Sequence, residues 1–333
     1  MRYVLQRIGQ LIMVLFAVTV ITFASVNVLG DPLTNILGPL ASIDCSDVNA
    51  GLVEDTSTRG GTSEGDCAVV ARTREEFNLD SALPVRYVRW VGDISTGNLG
   101  TSFQNQLPVS TVIKNKFPVT IRLVGVGLVL SLVLSIPWAL LSAYRANRPF
   151  DNASTVVSFG LLAIPNFAMG VILLYLFAVR WQFFPTRYNP DGIFNQLKSL
   201  FLPGMTLALP LAATYQRLLR TDLITTLQED FVHMARAKGM PARTIMTRHA
   251  LRPSLFSVLT VFGINTGALL GGTLVIEQIY SIPGMGTEIV SAIVRDDTPV
   301  VLGIVVIIVT GFVVVNLAVD LLYSVLDPRV RRG

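Results

Sequence analysis

Six long stretches of this 333-residue chain contain no Asp, Glu, Lys or Arg, and they constrain its fold more than any other feature. A helix needs about 20 consecutive apolar residues to cross the hydrocarbon core of a bilayer. Each stretch has about that length, so the sequence predicts six transmembrane helices. The six stretches are Ile8–Leu29, Leu123–Tyr144, Ala153–Val179, Ser199–Gln216, Pro253–Ile276 and Thr298–Val319.

The overall composition also favours a membrane protein. Hydrophobic residues make up 51% of the chain and charged residues only 14%, whereas soluble domains carry about 25% charged residues. So little charge argues against an ordinary soluble enzyme of this size. The 26 Gly and 17 Pro residues follow no fixed period, which argues against a collagen-like chain. The predicted fold class is an all-α polytopic membrane protein.

Two of the six stretches are open to a second interpretation. Arg2 and Arg7 begin the chain as in a cleaved signal peptide, but the apolar run that follows is longer than the usual ~7–15 residues. We therefore expect an uncleaved helix. The fourth stretch is the shortest and contains Pro203 and Pro210, which free backbone groups that neighbouring helices must satisfy. We count it as a span.

The basic residues predict the orientation of the helices. Six spans place both chain ends on one side, and Lys and Arg are concentrated in cytoplasmic connections. The two ends and the connections after the second and fourth stretches are the basic ones, whereas the short opposite connections hold four Lys and Arg residues. Both termini are therefore expected in the cytoplasm.

This orientation divides the chain into four parts. Residues 1–29 form an N-terminal transmembrane helix, and residues 30–118 form a small extracytoplasmic domain with a Gly-, Ser-, Thr- and Asp-rich insertion at 42–75. Residues 119–326 form a core of five transmembrane helices with a long cytoplasmic loop at 220–252. Residues 327–333 form a cytoplasmic tail.

Both cysteines, Cys45 and Cys67, lie in the insertion. Two cysteines in an extracytoplasmic loop favour one disulfide, and two unpaired thiols are the alternative. They are too few for a zinc cluster, and His233 and His249 lie far away in the sequence with no acidic cluster around them. We therefore predict no metal site.

The motifs of several enzyme classes are absent from the sequence. It has no G-x-x-x-x-G-K-[ST], so the chain cannot form a P-loop, and it has no H-E-x-x-H, G-x-S-x-G or C-x-x-C. The net charge of +4 is weak evidence for a nucleic-acid partner. We expect a chain that is not an enzyme, holds no cofactor of its own and binds no nucleic acid.

The cytoplasmic loop predicts a helix, a sharp turn and a second helix. A helix from about Thr221 would end at Gly239, because Gly is the usual residue just beyond a helix C-terminus. Pro241 then suits the first position of the next helix. A solvated basic loop without a partner is the alternative. The apolar side chains that a partner could contact are Phe231, Met234 and Met240.

This loop resembles the coupling loop of bacterial ABC importer permeases. The general motif there is Glu-Ala-Ala, three residues, then Gly; here His233 holds the Glu position, and Met234 and Ala235 hold the Ala positions. The peptide group often departs from the motif in this way, so the chain is most similar to the B-type permease of the dipeptide, oligopeptide and nickel transporters. The matching residues are Ala235-Arg236-Ala237-Lys238-Gly239 and His249-Ala250-Leu251-Arg252-Pro253.

Further matches in the family's order and spacing run along almost the whole chain. They include Gly30-Asp31-Pro32, Asn78-Leu79-Asp80, Gly97-Asn98-Leu99-Gly100-Thr101-Ser102, Ile164-Pro165-Asn166-Phe167, residues 277–286 and Asp327-Pro328-Arg329. Each piece alone is a weak signal, whereas their order and spacing together are specific. The insertion at 42–75 departs from the common family pattern, so its role is open.

The resemblance implies an ABC type I importer fold in the bacterial cytoplasmic membrane, in which this chain forms half of a channel. Its implied partners are a C-type permease subunit as heterodimer, two ATPase subunits that bring ATP and Mg, an extracytoplasmic substrate-binding protein and membrane lipid. The implied ATPase contacts are His233, Met234, Ala235, Arg236, Ala237, Lys238, Gly239 and Pro241.

Two further expectations concern the residues that line the translocation pathway and the identity of the transported substrate. Asn166 and Asn265 lie in predicted spans and are candidates for lining the pathway, although such Asn residues often bond a neighbouring helix instead. Short peptides are the expected cargo because they dominate the family, with nickel chelates and haem as alternatives. A membrane-embedded enzyme would need paired acids or a Ser/His pair in the spans. A stand-alone transporter would not need the basic cytoplasmic loop at 220–252 with its sharp turn.

Overall fold

The computed structural model describes residues 2–29, 71–72 and 81–326. This part of the chain is helical and contains no β-strand; an isolated bridge pairs Thr101 with Pro108. In chain order the helices are α1 (Arg2–Leu29), α2 (Leu83–Ser95), α3 (Val109–Tyr144), α4 (Pro149–Ala163), α5 (Asn166–Arg180), α6 (Gly192–Thr226), α7 (Asp230–Ala237), α8 (Ala242–Gly272), α9 (Leu274–Ile279), α10 (Met285–Val294) and α11 (Thr298–Leu326).

Several predictions fall outside the described residues. They concern Cys45, Cys67 and most of the insertion around them, as well as the family matches at 30–32 and 78–80 and the tail at 327–333. The disulfide between the two cysteines therefore stays a prediction.

Four of the helices are long and apolar enough to cross a membrane, namely α3, α6, α8 and α11 as far as Val319. The pair of α4 and α5 passes the same test and would be a fifth span, bent by 102°. Within α1, Met13–Ser25 forms a shorter apolar helix. The described residues thus contain four or five candidate spans, and the number six stays a prediction.

The third predicted span, Ala153–Val179, is not one straight helix but corresponds to the bent pair of α4 and α5. α4 stops before Ile164, which is extended at φ −82° and ψ 122°, and α5 begins at Asn166. Pro165 causes this break, because it lacks an N–H and disfavours a helical conformation in the residue before it. The last turns of α5, Leu174–Arg180, are π-helical.

The chain divides into two compact units. The first comprises Met1–Asn115 and Ile289–Val309, and the second comprises Lys116–Glu288 and Thr310–Gly333. The helix α3 runs without interruption through Pro118, so the predicted boundary at residue 118 falls inside a helix.

In the first unit, the segment after α2 is anchored at the start of α11. The carboxylate of buried Asp297 accepts hydrogen bonds from the Ser102 hydroxyl and from the Phe103 N–H. Elsewhere in this unit, α1 packs on α2 through aromatic side chains.

In the second unit, α6 is the central helix and packs against α4, α5 and α8. It is one continuous helix although Pro203 and Pro210 lie inside it. The span that the sequence supports least is therefore the most buried of the four long apolar helices. Its large buried side chains include Leu200, Leu207, Tyr215, Leu219 and Leu223.

The helix α8 approaches α11 closely at two glycines four residues apart. A Cβ on Gly263 would overlap the side chain of Val319, and one on Gly267 would lie 2.7 Å from Nδ2 of Asn316. Small residues at this spacing are typical of helices that pack tightly in membranes. Both glycines are therefore required by the separation of the two helices.

Candidate functional site

The candidate site is the segment between α6 and α8, where the residues expected to contact a partner lie. The structure has two helices here, because α6 ends at Thr226 and α7 begins at Asp230. The predicted continuous helix from Thr221 to Gly239 is therefore wrong. No Gly or Pro marks the break, at which Glu229 is extended. The reoriented α7 buries one of its faces, and this tertiary packing overrides local helix propensity.

The predicted helix end at Gly239 is confirmed. Gly239 has φ +74°, a left-handed conformation that costs residues with a Cβ about 1–2 kcal/mol. Its N–H donates to the carbonyl of Arg236 at 2.9 Å, and the N–H of Met240 donates to the carbonyl of Ala235 at 3.3 Å. These two bonds form a Schellman motif, which gives the turn a defined shape.

Pro241 lies one position earlier than predicted. It precedes α8 as the N-cap residue, with φ −64° and ψ 142°, and is not the first helical residue. Its carbonyl accepts hydrogen bonds from the N–H groups of Thr244 and Ile245 at 2.9 and 3.1 Å. The helix then continues through a π-helical stretch, Ile245–Ala250, into its long apolar part.

We call α7, residues 238–241 and α8 as far as Ala250 the elbow. The two arms of the elbow pack on each other, because Val232 and Ala235 of α7 are buried against Ile245 of α8. The opposite side of α7 exposes apolar side chains, with Met234 61% exposed. The elbow is therefore a packed body with an apolar outer face.

Seven of the eight predicted ATPase contacts are exposed on the elbow. Ala235 is the exception: it is buried, and its small side chain lets α7 approach α8 within the same chain. The exposed residues are His233, Met234, Arg236, Ala237, Lys238, Gly239 and Pro241.

The elbow rests on the core of the second unit. Met246 and Ala250 pack in one cluster with Tyr215, Leu219 and Leu223 of α6. The same cluster includes buried alanines of α3. The elbow is thereby in direct contact with two further helices.

An ion pair joins α4 to α6, and the sequence reasoning missed it. Nε of Arg220 donates to Oδ1 of Asp151 and Nη2 donates to Oδ2, each at 2.5 Å. The buried carboxylate also accepts a hydrogen bond from the N–H of Asn147 at 2.9 Å. Two parallel bonds make this pair geometrically specific. Arg220 reads as the first basic residue of the predicted loop, and nothing nearby in the sequence points to Asp151.

One turn before Arg220, the buried side chain of Gln216 links three helices. Its Oε1 accepts a hydrogen bond from the Ser158 hydroxyl at 2.8 Å, and its Nε2 lies 3.3 Å from Ser142 and 3.2 Å from Ser154. The last two serines share a bond of 2.8 Å. Because the amide is satisfied at both ends, this network favours one arrangement of α3, α4 and α6.

The two candidate pathway residues lie in different surroundings. Asn265 donates from Nδ2 to the hydroxyl of Tyr215 at 3.2 Å and so bonds a neighbouring helix. Asn166 is exposed at the first position of α5. The two asparagines share no hydrogen-bond partner among the described residues.

A second buried carboxyl lies in α9. Glu277 accepts hydrogen bonds from the hydroxyls of Thr120 and Thr273 at 2.7 and 3.2 Å and from the Thr287 N–H at 3.1 Å. Burial raises the pKa of Glu277 above its ordinary value, and the hydrogen bonds oppose that shift. The sequence reasoning used this residue as a family match and gave it no role.

Close packing around Glu277 requires glycine at two positions that follow it. A Cβ on Gly284 would overlap the carboxylate of Glu277, and one on Gly286 would lie 2.6 Å from Cα of Leu274. The intervening Met285 donates its N–H to the Thr120 hydroxyl at 2.9 Å. The turn between α9 and α10 is thus folded tightly around a carboxyl group and fixed to α3.

Metal ligation is not apparent in the part of the chain that the structure describes. There, no group of three or more His, Cys, Asp or Glu is placed to hold an ion.

Comparison with known proteins places this architecture in a family. Residues 135–332 match the family described as binding-protein-dependent transport system inner membrane component. The chain is 32% identical over 335 residues to the oligopeptide transport system permease protein AppB of Bacillus subtilis, with 98% of each chain covered. It is 31% identical over 334 residues to the "Probable peptide ABC transporter permease protein y4tP" of Sinorhizobium fredii, with 99% of each chain covered. The chain therefore belongs to the family of binding-protein-dependent transport system inner membrane components, the permease subunits of ABC transporters.

Proposed function

We propose that this chain is the B-type permease subunit of an ATP-driven importer that carries short peptides across the bacterial inner membrane. The names of the two relatives, an oligopeptide and a peptide permease, support the cargo. The observation that carries the mechanism is the elbow, which combines an exposed apolar face with a fixed turn. In this proposal the chain has six spans, both termini lie in the cytoplasm, and residues 30–118 lie outside.

The outer face of the elbow would receive an ATPase subunit. Exposed Phe231 and Met234 lie among the cations of Arg236 and Lys238, and this combination fits an apolar groove with an acidic rim. Because α7 packs on Ile245 and the turn is closed by backbone hydrogen bonds, a pull on α7 moves α8 with it.

The same displacement would reach the helices that enclose the pathway. It passes to α3 and α6 through the cluster around Met246 and Ala250, and to α4 through the pair of Arg220 and Asp151. These contacts favour motion of α3, α4, α6 and α8 as one body. Alternating access by rocking of a rigid bundle requires such motion.

The remaining parts of the machine would come from partner proteins. The chain has no P-loop, so ATP and Mg belong to two ATPase subunits, and this subunit is not itself an enzyme. A C-type permease subunit completes the channel as a heterodimer, and an extracytoplasmic binding protein delivers the peptide. Asn166, exposed beside the bend between α4 and α5, remains our candidate for lining the pathway.

The test is ATP hydrolysis by the complex purified through a tag on this chain and placed in lipid nanodiscs. We expect two ATPase subunits to co-purify and peptide-loaded binding protein to stimulate turnover. Binding protein offered nickel chelate or haem should give no stimulation. The proposal would be contradicted if the folded chain, co-expressed with its partner subunits, co-purified without ATPase subunits and showed no ATP hydrolysis.

A matched pair of variants tests the elbow itself. Met234→Asp places a charge on the apolar outer face and should abolish the stimulation, whereas Met234→Leu keeps the apolar contact and should retain it. Because Met234 is exposed, neither change alters the core. Equal stimulation in both variants would show that α7 does not contact the ATPase subunit.

A further inference from the structure

We propose that α2 lies in the outer lipid interface of the membrane and that phospholipid acyl chains cover its exposed apolar side. The proposal rests on the proposed function for the side of the membrane on which α2 lies. None of the 13 residues of α2 is buried, and its polar residues Arg86, Arg89 and Asp93 share one side. Separate polar and apolar sides on an unburied helix are typical of helices that lie in a membrane surface.

A stripe of aromatic side chains attaches α2 to α1. The ring centroid of Tyr87 lies 6.1 Å from that of Phe16 and 5.5 Å from that of Phe23, and Trp90 lies 5.3 Å from Phe23. The hydroxyls of Tyr87 and Thr19 are 3.0 Å apart. Tyr and Trp are enriched where membrane proteins cross the interface between acyl chains and headgroups.

The position of this contact along α1 agrees with an interfacial location. Phe23 lies six residues before the end of α1 at Leu29, which is about 9 Å along the helix axis. Interfacial helices bury their apolar side about 5–10 Å into the boundary between headgroups and acyl chains. The contact of Trp90 with Phe23 therefore lies at that depth, and the side chain of Tyr87 extends farther along the outer half of α1, toward Thr19 and Phe16.

A second apolar stripe on α2 is left uncovered by α1. Val88 and Val91 follow Tyr87 and Trp90 by one residue each, and they are 69% and 41% exposed. The apolar surface continues on α1, where Phe16, whose ring contacts Tyr87, is 59% exposed, and Met13, one turn earlier, is 70% exposed. Acyl chains can cover the exposed apolar side chains of both helices at once, because α1 is itself an apolar helix of the proposed membrane domain. The continuity of this surface favours lipid as the occupant.

Photocrosslinking tests this assignment in the assembled complex. We would introduce Val88→p-benzoylphenylalanine, with Met13→p-benzoylphenylalanine as the lipid-facing control and Asp93→p-benzoylphenylalanine as the control on the polar side of α2. Each complex is placed in nanodiscs of phosphatidylethanolamine and phosphatidylglycerol, irradiated and analysed by intact mass. All three positions are exposed, so the bulky side chain leaves the packing intact.

We expect phospholipid adducts in the Val88 and Met13 variants and no phospholipid adduct in the Asp93 variant. Adducts between Val88 and the binding protein or another subunit would overturn the proposal, as would adducts at Met13 but not at Val88. If ATP turnover remains stimulated in such a preparation, only the location of α2 is wrong. Absence of adducts at both Val88 and Met13 would contradict the membrane location of α1 as well.

Discussion

Arg220 and Asp151 face each other across α4 and α6 with two parallel hydrogen bonds of 2.5 Å, between Nε and Oδ1 and between Nη2 and Oδ2. The carboxylate is almost fully buried, while the guanidinium is partly exposed. Removal of either partner leaves a charge without compensation in a site from which water is largely excluded. The pair is therefore more sensitive to mutation than an ordinary surface ion pair.

Arg220→Ala should lower the stability of the complex by about 2–4 kcal/mol, below the full value for a buried pair because Arg220 is partly exposed. Arg220→Lys keeps the charge but loses the parallel bonds, so its effect should be smaller. Arg217→Ala is the control, since that exposed side chain makes a cation–π contact with Phe159 at 4.0 Å and no ion pair among the described residues. Thermal unfolding in nanodiscs measures all three, and equal Tm values for Arg220→Ala and Arg217→Ala would refute the prediction.

Gly239→Asp should uncouple ATP turnover from binding-protein stimulation. Nothing lies within 4 Å of a Cβ at Gly239, so the substitution is strained by the backbone conformation at φ +74° and not by a steric clash. Gly239→Asn is the matched control. Asn is the residue other than Gly that is found at this position of a helix end, and it has nearly the volume of Asp without the negative charge. The measurement is ATP hydrolysis with and without loaded binding protein. Normal stimulation in Gly239→Asp would show that the shape of the turn is not needed for coupling.

Gly263→Ala should destabilise the packing of α8 on α11. The added methyl group would overlap Val319, and overpacking of this kind costs about 1–3 kcal/mol. In α4, Gly160→Ala meets nothing within 4 Å and should stabilise the helix slightly. The two variants should therefore shift Tm in opposite directions. A Tm for Gly263→Ala at or above that of the unmodified protein would contradict the packing described for these helices.

The stability of the protein should depend on pH through Glu277. Burial raises the pKa of Glu277 above its ordinary value of 4.5, so the folded protein keeps this proton to a higher pH than the unfolded chain. Between the two pKa values the unfolded chain binds fewer protons, and the free energy of unfolding therefore falls as pH rises. Glu277→Gln lacks this contribution.

We would measure Tm from pH 4 to pH 8, about the range over which a raised carboxyl pKa acts. The Tm of the unmodified protein, taken relative to that of Glu277→Gln, should fall as pH increases. The Gln side chain keeps one acceptor oxygen for Thr120, but its NH2 group cannot accept the hydrogen bond from the Thr287 N–H; that loss is present at every pH. A constant difference between the two proteins would show that the Glu277 carboxyl has no raised pKa.

Features with a local cause could be predicted from the sequence. The turn at Gly239 follows from one residue that adopts a left-handed conformation cheaply, and the long apolar helices follow from uninterrupted runs of apolar residues. The bend before Pro165 has an equally local cause, yet a charge-free run conceals it, because hydropathy does not register a missing N–H.

Features that depend on distant contacts could not be predicted. The break between α6 and α7 has no sequence signal, since it follows from the packing of Val232 on Ile245. Asp151, the partner of Arg220, lies 69 residues away in the chain, and Thr120, which ties Glu277 to α3, lies 157 residues away. A single sequence gives the charge of such residues but not their neighbours in space. By sequence alone, Arg220 is therefore assigned to a cytoplasmic loop and Glu277 to a family motif.

The π-helical stretch Ile245–Ala250 has a mechanical consequence for α8. A π turn holds one residue more than an α turn, so conversion of one wide turn into an α turn releases a residue, about 1.5 Å of rise and 100° of rotation. The π-helical stretch lies where α7 and its turn join the apolar part of α8. Such a conversion would change the rotation of the apolar part of α8 about its own axis without breaking the helix.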